Sequence, residues 1–146
     1  MRLSKQTNYA VRTLIYCASN SERLSQVPQI AKAFGISDMF LFKIIQPLTR
    51  TGLIETVRGR NGGIRLGRPA AEIRLAEVML ATEDGFDLSE CQTHQRDQCP
   101  LRDICIYTKA LDRALAAFMS TINEYTIADL ENVGSARAAL GIDRLR

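Results

Sequence analysis

Three of the four cysteines in this 146-residue chain lie close together in sequence, at Cys91, Cys99 and Cys105. Seven residues separate the first two, and five separate the last two. In a reducing compartment, such a group more often binds a metal or takes part in redox chemistry than forms a structural disulfide. The spacing differs from the Cys-x-x-Cys pairs of ordinary zinc fingers. Three soft thiolate ligands therefore favour an iron–sulfur cluster.

Other roles for these cysteines stay open on the residues alone. His94 is the single histidine of the chain and could complete a zinc site of three cysteines and one histidine. A thiol redox switch, or no shared role, is also compatible with the spacing. We expect a helix to begin directly after Cys99, opened by Pro100, whose positive end would favour a thiolate. Cys17 stands apart, and we expect it to be a small buried apolar side chain.

Charge divides the chain into a basic and an acidic half. Residues 1–68 contain 11 Lys and Arg against 3 Asp and Glu, a net charge of +8. Residues 69–146 contain 8 against 13, a net charge of −5. This split suggests that the basic half faces a polyanion. No apolar run approaches the roughly 20 residues that span a bilayer, and the N-terminus lacks the pattern of a signal peptide, so we expect a cytoplasmic protein with no membrane partner.

Three helices are predicted in the basic half. Ser4 can cap a first helix over 5–18, and Ser37 can cap a third over 38–51. A short second helix lies between them and ends at Gly35, as helices commonly do. Two helices joined by a tight glycine turn form a helix-turn-helix.

A basic hairpin is predicted directly after the third helix. β-branched residues indicate a strand over 53–58, and 64–66 can return as the second strand. The turn over 59–63 contains Asn61-Gly62, the strongest short hairpin signal. A basic hairpin in this position is a wing.

The acidic half is predicted to hold the cysteines and a long helix. A short helix over 75–81 is followed by a polar loop over 82–98, and the last large helix is expected over 101–124. Apolar residues recur there with a heptad rhythm, which suits a partner helix. Two series carry this rhythm: Ile104, Leu111 and Phe118, and Leu101, Thr108, Leu115 and Ile122.

These patterns predict a mainly α fold, with a winged helix-turn-helix DNA-binding domain, a long dimerisation helix and a cysteine-bearing cluster loop. We expect the DNA-binding domain at 1–69, and a short helix with the cluster loop at 70–99. The dimerisation helix and a short C-terminal helix are expected at 100–131, and a weakly patterned tail at 132–146. The expected partners are double-stranded DNA and a second copy of the chain, since one winged unit reads at best half an operator.

The third helix is expected to enter the major groove. Lys43 and Gln46 could read base edges there, because Lys pairs with guanine and Gln with adenine. Phe42 suits contact with a thymine methyl, and the wing arginines suit phosphates or the minor groove. The expected DNA contacts are Ser37, Met39, Phe42, Lys43, Gln46, Arg58, Arg60, Asn61 and Arg65.

Several segments together resemble one bacterial family. They are Met1-Arg2-Leu3, Tyr9-Ala10-Val11-Arg12, Ile30-Ala31, Gly35-Ile36-Ser37, Gly52-Leu53-Ile54, 57–63, Leu66 and Cys99-Pro100-Leu101. On these residues, roughly 1–130 of the chain resembles the iron–sulfur winged-helix regulators that include IscR, NsrR and RirA. The segments 40–48 and 140–143 are most similar to the RirA-type, rhizobial iron-responsive regulators.

The resemblance implies a homodimeric repressor whose three cysteines bind an iron–sulfur cluster, with 4Fe–4S favoured over 2Fe–2S. It implies that the repressor binds inverted-repeat operators of iron-uptake genes and releases them when the cluster is lost. It also implies that Pro47 is an ordinary member of the third helix.

In the family that the chain resembles, a fourth, non-cysteine ligand varies between subfamilies. The resemblance implies that Asn8 occupies the position of the aspartate ligand of NsrR-like proteins. Since an asparagine is a poor iron ligand, a weakly held iron is expected. The candidate fourth ligands are Asn8, His94, Glu90 and Asp87.

Two alternatives remain beside the iron-responsive repressor. One is a nitric-oxide or redox-sensing repressor of the same family, and the other is a zinc-stabilised DNA-binding protein. An enzyme is not expected, because the chain has one histidine, no Ser/His/Asp arrangement and no glycine-rich phosphate loop after a strand.

Overall fold

The computed structural model describes residues 2–92, 99–101, 103–131 and 136–142, apart from the side chains of Cys91 and Arg137. His94, a predicted candidate ligand, lies outside these residues. The described helices are α1 (Lys5–Ser19), α2 (Val27–Phe34), α3 (Asp38–Arg50), α4 (Leu75–Thr82), α5 (Ile106–Asn123), α6 (Ile127–Glu131) and α7 (Ala136–Ala139). The strands are β1 (Ile54–Val57) and β2 (Gly63–Leu66), and 3-10 turns occupy Ala70–Glu72 and Glu90–Gln92. Within the described residues, no helix is both long and apolar enough to cross a membrane.

The first three helices begin and end at the residues that the sequence marks. Ser4 Oγ accepts the backbone N–H of Thr7 at 3.1 Å, which caps α1. Gly35 ends α2 with φ +64°, a left-handed conformation that glycine adopts without a side-chain clash. Ser37 Oγ accepts the N–H of Phe40 at 3.2 Å and caps α3. The helix continues through Pro47 to Arg50, as the resemblance implies.

The wing is an antiparallel two-stranded sheet whose strands pair from Ile54 with Leu66 to Val57 with Gly63. A third segment extends it, because the N–H of Ser25 donates to the carbonyl of Ile64 at 2.8 Å and the N–H of Ile64 donates back at 2.9 Å. Ile64 thereby points into the core, where it is 1% exposed. These bonds attach the wing to the chain just before α2.

The turn of the wing centres one residue earlier than the Asn-Gly pair suggests. The N–H of Gly62 donates to the carbonyl of Gly59 at 2.9 Å, so Arg60 and Asn61 occupy the two central positions. Asn61 has a negative φ and Gly59 has a φ of +114°. The positive φ that closes the loop is therefore at Gly59, and the turn presents Arg60 and Asn61 at its tip.

The long helix begins later than predicted, at Ile106 rather than Leu101. The N–H of Ile104 donates to the carbonyl of Leu101 at 3.1 Å, which closes a turn before the helix. Cys105 then has extended backbone with φ −73° and ψ 108°, and it is the N-cap of α5. Pro100 serves a turn as well as a first helical position, so its presence does not fix the start of a helix.

The C-terminal part of the described chain returns to the N-terminal core. Ile127 at the start of α6 is fully buried, and α1 packs against α3, α4, α6 and α7. Thr126 caps α6, because its hydroxyl oxygen accepts the N–H of Asp129 at 3.3 Å and its own N–H donates to Asp129 Oδ2 at 2.7 Å. Ile142, in the weakly patterned tail, is 2% exposed and belongs to the core, with Leu140 packed against it. A tail of weak pattern thus adds apolar surface to the folded unit.

Candidate functional site

All nine predicted DNA contacts are exposed in the structure. On α3, Met39 is 74% exposed and Phe42 is 58% exposed, although both are large apolar side chains. The opposite face of the same helix is buried through Leu41, Ile44 and Leu48. The helix therefore presents one polar and aromatic face to the outside while the other holds it on the core.

An open cavity of about 1060 Å³ lies between α3 and the wing. Phe42, Gln46 and Arg58 line it, so the structure brings three of the predicted contacts together. The other six predicted contacts are exposed residues that are not part of this lining. The polar and charged side chains of the lining that the sequence did not single out are Gln26, Thr49, Arg50, Glu55 and Thr56. Arg50 follows Gln46 by one helical turn, and this spacing was a usable signal.

The wing is held in place by glycine contacts and one side chain. Gln26 Nε2 donates to the carbonyl of Gly62 across 36 residues of sequence. A Cβ at Gly62 would lie 2.3 Å from the Val57 carbonyl oxygen, and one at Gly63 would lie 2.8 Å from that of Ser25. Both positions therefore require glycine, and the tip of the wing has a fixed direction relative to α2.

The basic residues of the wing differ in their surroundings. Arg65 lies opposite Glu55 in the sheet and forms an ion pair with it at 2.9 Å. The hydrogen bond and the charge of Arg65 lower the pKa of the Glu55 carboxyl. Arg68 pairs with Glu77 on α4. In the described part of the chain, no ion pair is found for Arg58 or Arg60, which leaves their charge directed at solvent.

The segment that carries the three cysteines, residues 83–105 between α4 and α5 (the cysteine segment), is held in place at its start. Glu83, directly after α4, accepts the N–H of Ser4 at 2.8 Å and the hydroxyl of Thr7 at 2.5 Å. Partial burial opposes ionisation, but these hydrogen bonds lower the pKa of Glu83 below its usual range. Thr7 also lies 2.8 Å from the hydroxyl of Thr82. Hydrogen bonds therefore attach the start of the cysteine segment to the first turn of α1.

Cys105, rather than Cys99, lies at a helix N-terminus. It caps α5 without a side-chain hydrogen bond to the helix backbone, and Thr108 Oγ1 donates to its sulfur at 3.4 Å. A helix N-terminus and a hydroxyl donor both stabilise a negatively charged sulfur. Cys99 is half-buried and lies before the turn that precedes α5. The helix dipole that the sequence led us to expect at Cys99 therefore acts on Cys105.

The third cysteine lies on a 3-10 turn that is fixed to α5. Gln92, the residue after Cys91, accepts the N–H of Leu88 at 2.6 Å and donates to Asp112 Oδ1 at 2.9 Å. Ser89 Oγ is buried and has no hydrogen-bond partner within the described residues. The side chain of Cys91 lies outside the part of the chain that the structure describes. Among the side chains that are described, no group of three His, Cys, Asp or Glu is placed to hold a metal ion.

The other candidate ligands are spread over two elements. Asn8 is exposed on α1, where Nδ2 donates to the carbonyl of Ser4 at 3.2 Å. Asp87 and Glu90 are exposed in the cysteine segment. Cys17 is 2% exposed in the core, and burial raises its pKa to about 12 despite a hydrogen bond with Ser25. It is a neutral thiol at physiological pH, in agreement with its predicted role in the core.

Comparisons with known proteins identify the family. A family model described as Rrf2, iron-dependent transcriptional regulator, matches residues 3–132. Protein aau3 of Rhizobium meliloti (strain 1021) is 59% identical over 130 residues, which cover 89% of this chain and 84% of that protein. The HTH-type transcriptional regulator NsrR of Geobacillus kaustophilus (strain HTA426) is 42% identical over 142 residues, which cover 96% and 97% of the two chains.

Solved structures agree with the observed fold. T. potens IscR superposes with a TM-score of 0.69 at 22% identity, covering 89% of this chain and 85% of that one. The oxidized form of Staphylococcus aureus CymR superposes with a TM-score of 0.71 at 23% identity, covering 93% of this chain and 100% of that one. The mainly α, winged-helix architecture predicted from the sequence is confirmed. The chain belongs to the Rrf2 family of transcription regulators.

Proposed function

We propose that this regulator is an iron-responsive repressor that holds a labile iron–sulfur cluster on Cys91, Cys99 and Cys105 and binds the operators of iron-uptake genes. The observation that carries the proposal is the Glu83 connection between the two parts of the chain. The cysteine segment starts at a carboxylate that is hydrogen-bonded to the first turn of α1, and α1 packs on α3. A change in the segment therefore acts on the helix that supports the DNA-facing helix.

DNA binding rests on α3 and the wing. The exposed face of α3 suits base edges in the major groove, with Lys43 and Gln46 as hydrogen-bonding groups. Arg60 and Asn61 at the tip of the wing suit phosphates or the minor groove. Ser37 caps α3, and a helix N-terminus favours a phosphate. Arg65 is a weaker candidate than Arg58 or Arg60, because its charge is already paired with Glu55.

A second copy of the chain is the expected partner along α5. Of the 18 residues of this helix, only Thr108 is buried within one copy of the chain. Leu111, Leu115 and Phe118 are half-exposed, and Ile104, just before the helix, is 73% exposed. Apolar residues with heptad spacing suit a helix of another chain. A symmetric dimer would place two wings on the two halves of an inverted repeat.

The residues of the cysteine segment fit an iron–sulfur cluster. Cys99 and Cys105 are half-buried thiols, and Cys105 has both a helix N-terminus and a hydroxyl to stabilise its thiolate. Ser89 Oγ, buried with no partner among the residues described, would be satisfied by a sulfur acceptor. When bound, the cluster would supply an iron-dependent link between the three cysteines. The chain would contribute the thiolates, the hydrogen bonds to them, and the anchor at Glu83.

The test is the absorption spectrum of anaerobically purified protein, with iron and sulfide measured per chain during addition of a weak iron chelator. We expect a brown protein that bleaches and loses operator affinity together. A brown protein that resists the chelator would favour nitric-oxide or redox sensing, and a colourless protein containing zinc would remove the cluster. Cys105→Ala should remain folded and bind the operator poorly, while Cys17→Ala, which removes a core thiol, should keep the colour.

A further inference from the structure

The face of α5 that begins at Cys105 carries two polar residues with defined contacts. Cys105, Thr108 and Asp112 are spaced i, i+3 and i+7, so they lie on one face of the helix. Thr108 is 5% exposed, and its hydroxyl reaches the Cys105 sulfur at 3.4 Å. That distance is normal for a hydrogen bond to sulfur.

Asp112 connects this face to the other cysteine element. Its Oδ1 accepts from Gln92 Nε2 at 2.9 Å, while Gln92 Oε1 accepts the N–H of Leu88 at 2.6 Å. The N–H of Gln92 also donates to the carbonyl of Ser89 at 3.0 Å. The two bonds within 88–92 close this stretch into a turn, and the Gln92–Asp112 bond connects it to α5. Cys91 lies inside that turn, so protein contacts alone set the position of its backbone relative to the helix that Cys105 caps.

We propose that Thr108 and Asp112 are positioning residues of the iron–sulfur site, an inference that rests on the proposed function. Thr108 fixes the Cys105 sulfur and withdraws charge from it by hydrogen bonding. Asp112 holds the Cys91 turn against α5 through Gln92, so that the backbone at Cys91 is positioned before iron arrives. Groups that orient metal ligands in this way commonly change metal affinity 10–100-fold when removed.

The consequence for sensing is a division of roles along one helix face. The Gln92–Asp112 bond keeps the turn in place in the absence of iron, because it needs no metal. The Thr108 hydrogen bond weakens electron donation from Cys105 to iron, since hydrogen bonds to ligand sulfur raise the reduction potential of iron–sulfur clusters. The same face therefore favours assembly of the cluster and sets its redox properties.

A single variant and a compensating double variant test the proposed role of Asp112. Gln92→Glu places a carboxylate against Asp112, whereas Gln92→Glu combined with Asp112→Asn restores a donor and an acceptor. We expect the single variant to lose its cluster to a weak chelator at least about tenfold faster than wild type, and the double variant to return close to the wild-type rate. In the apo protein, backbone amide exchange over 88–92 should rise in the single variant and fall again in the double variant.

Two substitutions of similar size test the proposed role of Thr108. Thr108→Val keeps the shape and removes the hydroxyl, while Thr108→Ser keeps the hydroxyl. The cluster potential should become more negative in the valine variant and stay near the wild-type value in the serine variant, which a purely structural role would not produce. Equal chelation rates and equal potentials in all variants of a cluster-bearing protein would overturn this inference alone. A wild-type protein that assembles no cluster would overturn both it and the proposed function.

Discussion

The α3–wing region and α5 differ in how they use their apolar residues. In α3, every apolar residue with the helical period, from Leu41 to Leu48, is buried against the chain's own core. In α5, the corresponding residues stay half-exposed, and the single buried residue is polar Thr108. Similar amphipathic patterns therefore have different outcomes in one chain. The apolar face of α3 is buried within the chain, whereas α5 has a face suited to another surface.

Substitution of one apolar side chain in each region should give the largest difference between α3 and α5. Leu41→Ala leaves a cavity at a fully buried position and should lower the free energy of unfolding by about 2–5 kcal/mol. Phe118→Ala on α5 should instead weaken self-association and change monomer stability by less than about 1 kcal/mol. Urea denaturation at several protein concentrations, together with sedimentation equilibrium, distinguishes the two effects. Equal, concentration-independent decreases would contradict this contrast between α3 and α5.

Glycine substitutions should show that the wing tolerates less change than the cysteine segment. A Cβ at Gly62 meets the Val57 carbonyl at 2.3 Å, whereas one at Gly85 has its nearest neighbour at 3.7 Å, the end of the Asp87 side chain. Overpacking against backbone costs about 1–3 kcal/mol. Gly62→Ala should therefore displace the wing and lower operator affinity about tenfold, while Gly85→Ala leaves it unchanged. Fluorescence anisotropy with labelled operator measures both, and an unaffected Gly62→Ala would show that the wing does not bind DNA.

Arginine substitutions compare the contribution of charge in the two regions to DNA binding, and their expected effect on affinity is smaller. Arg60→Ala at the tip of the wing should reduce the slope of log affinity against log salt by about 0.9 for each phosphate that the arginine neutralises. It should weaken binding to all sequences alike, because phosphate contacts carry no base information. Arg113→Ala, an exposed arginine on α5, is the matched control and should leave the slope unchanged. A slope that is the same in both variants would remove Arg60 from the interface.

Local signals explain which parts of this fold could be predicted. Ser4, Gly35 and Ser37 act through bonds within a few residues, so the sequence predicted the ends of the first helices closely. The predicted start of α5, at Leu101 instead of Ile106, was wrong because Pro100 suits a turn as well as a helix. The Gln26–Gly62 and Gln92–Asp112 bonds join distant residues and leave no periodic pattern. The anchors of both candidate sites therefore required the structure.

Two glutamates with lowered pKa values give the smallest expected contrast. Glu83 bonds to the first turn of α1, and Glu55 pairs with Arg65 on the exposed surface of the wing. Because the folded state favours the carboxylate in both cases, this stabilisation is present above the ordinary glutamate pKa of 4.5 and is lost as the pH falls below it.

Because the two carboxylates have different environments, their substitution should affect stability with different dependence on salt. Salt screens the exposed pair, so Glu55→Gln should change stability negligibly at high ionic strength. Glu83→Gln should lower the melting temperature by roughly 2 °C at neutral pH and flatten its fall on acidification, with little dependence on salt. Thermal unfolding from neutral pH to pH values below 4.5 at two salt concentrations measures this. If Glu83→Gln had the salt dependence of Glu55→Gln, the junction between α1 and the cysteine segment would be an ordinary surface contact, and the coupling between cysteines and DNA would need another route.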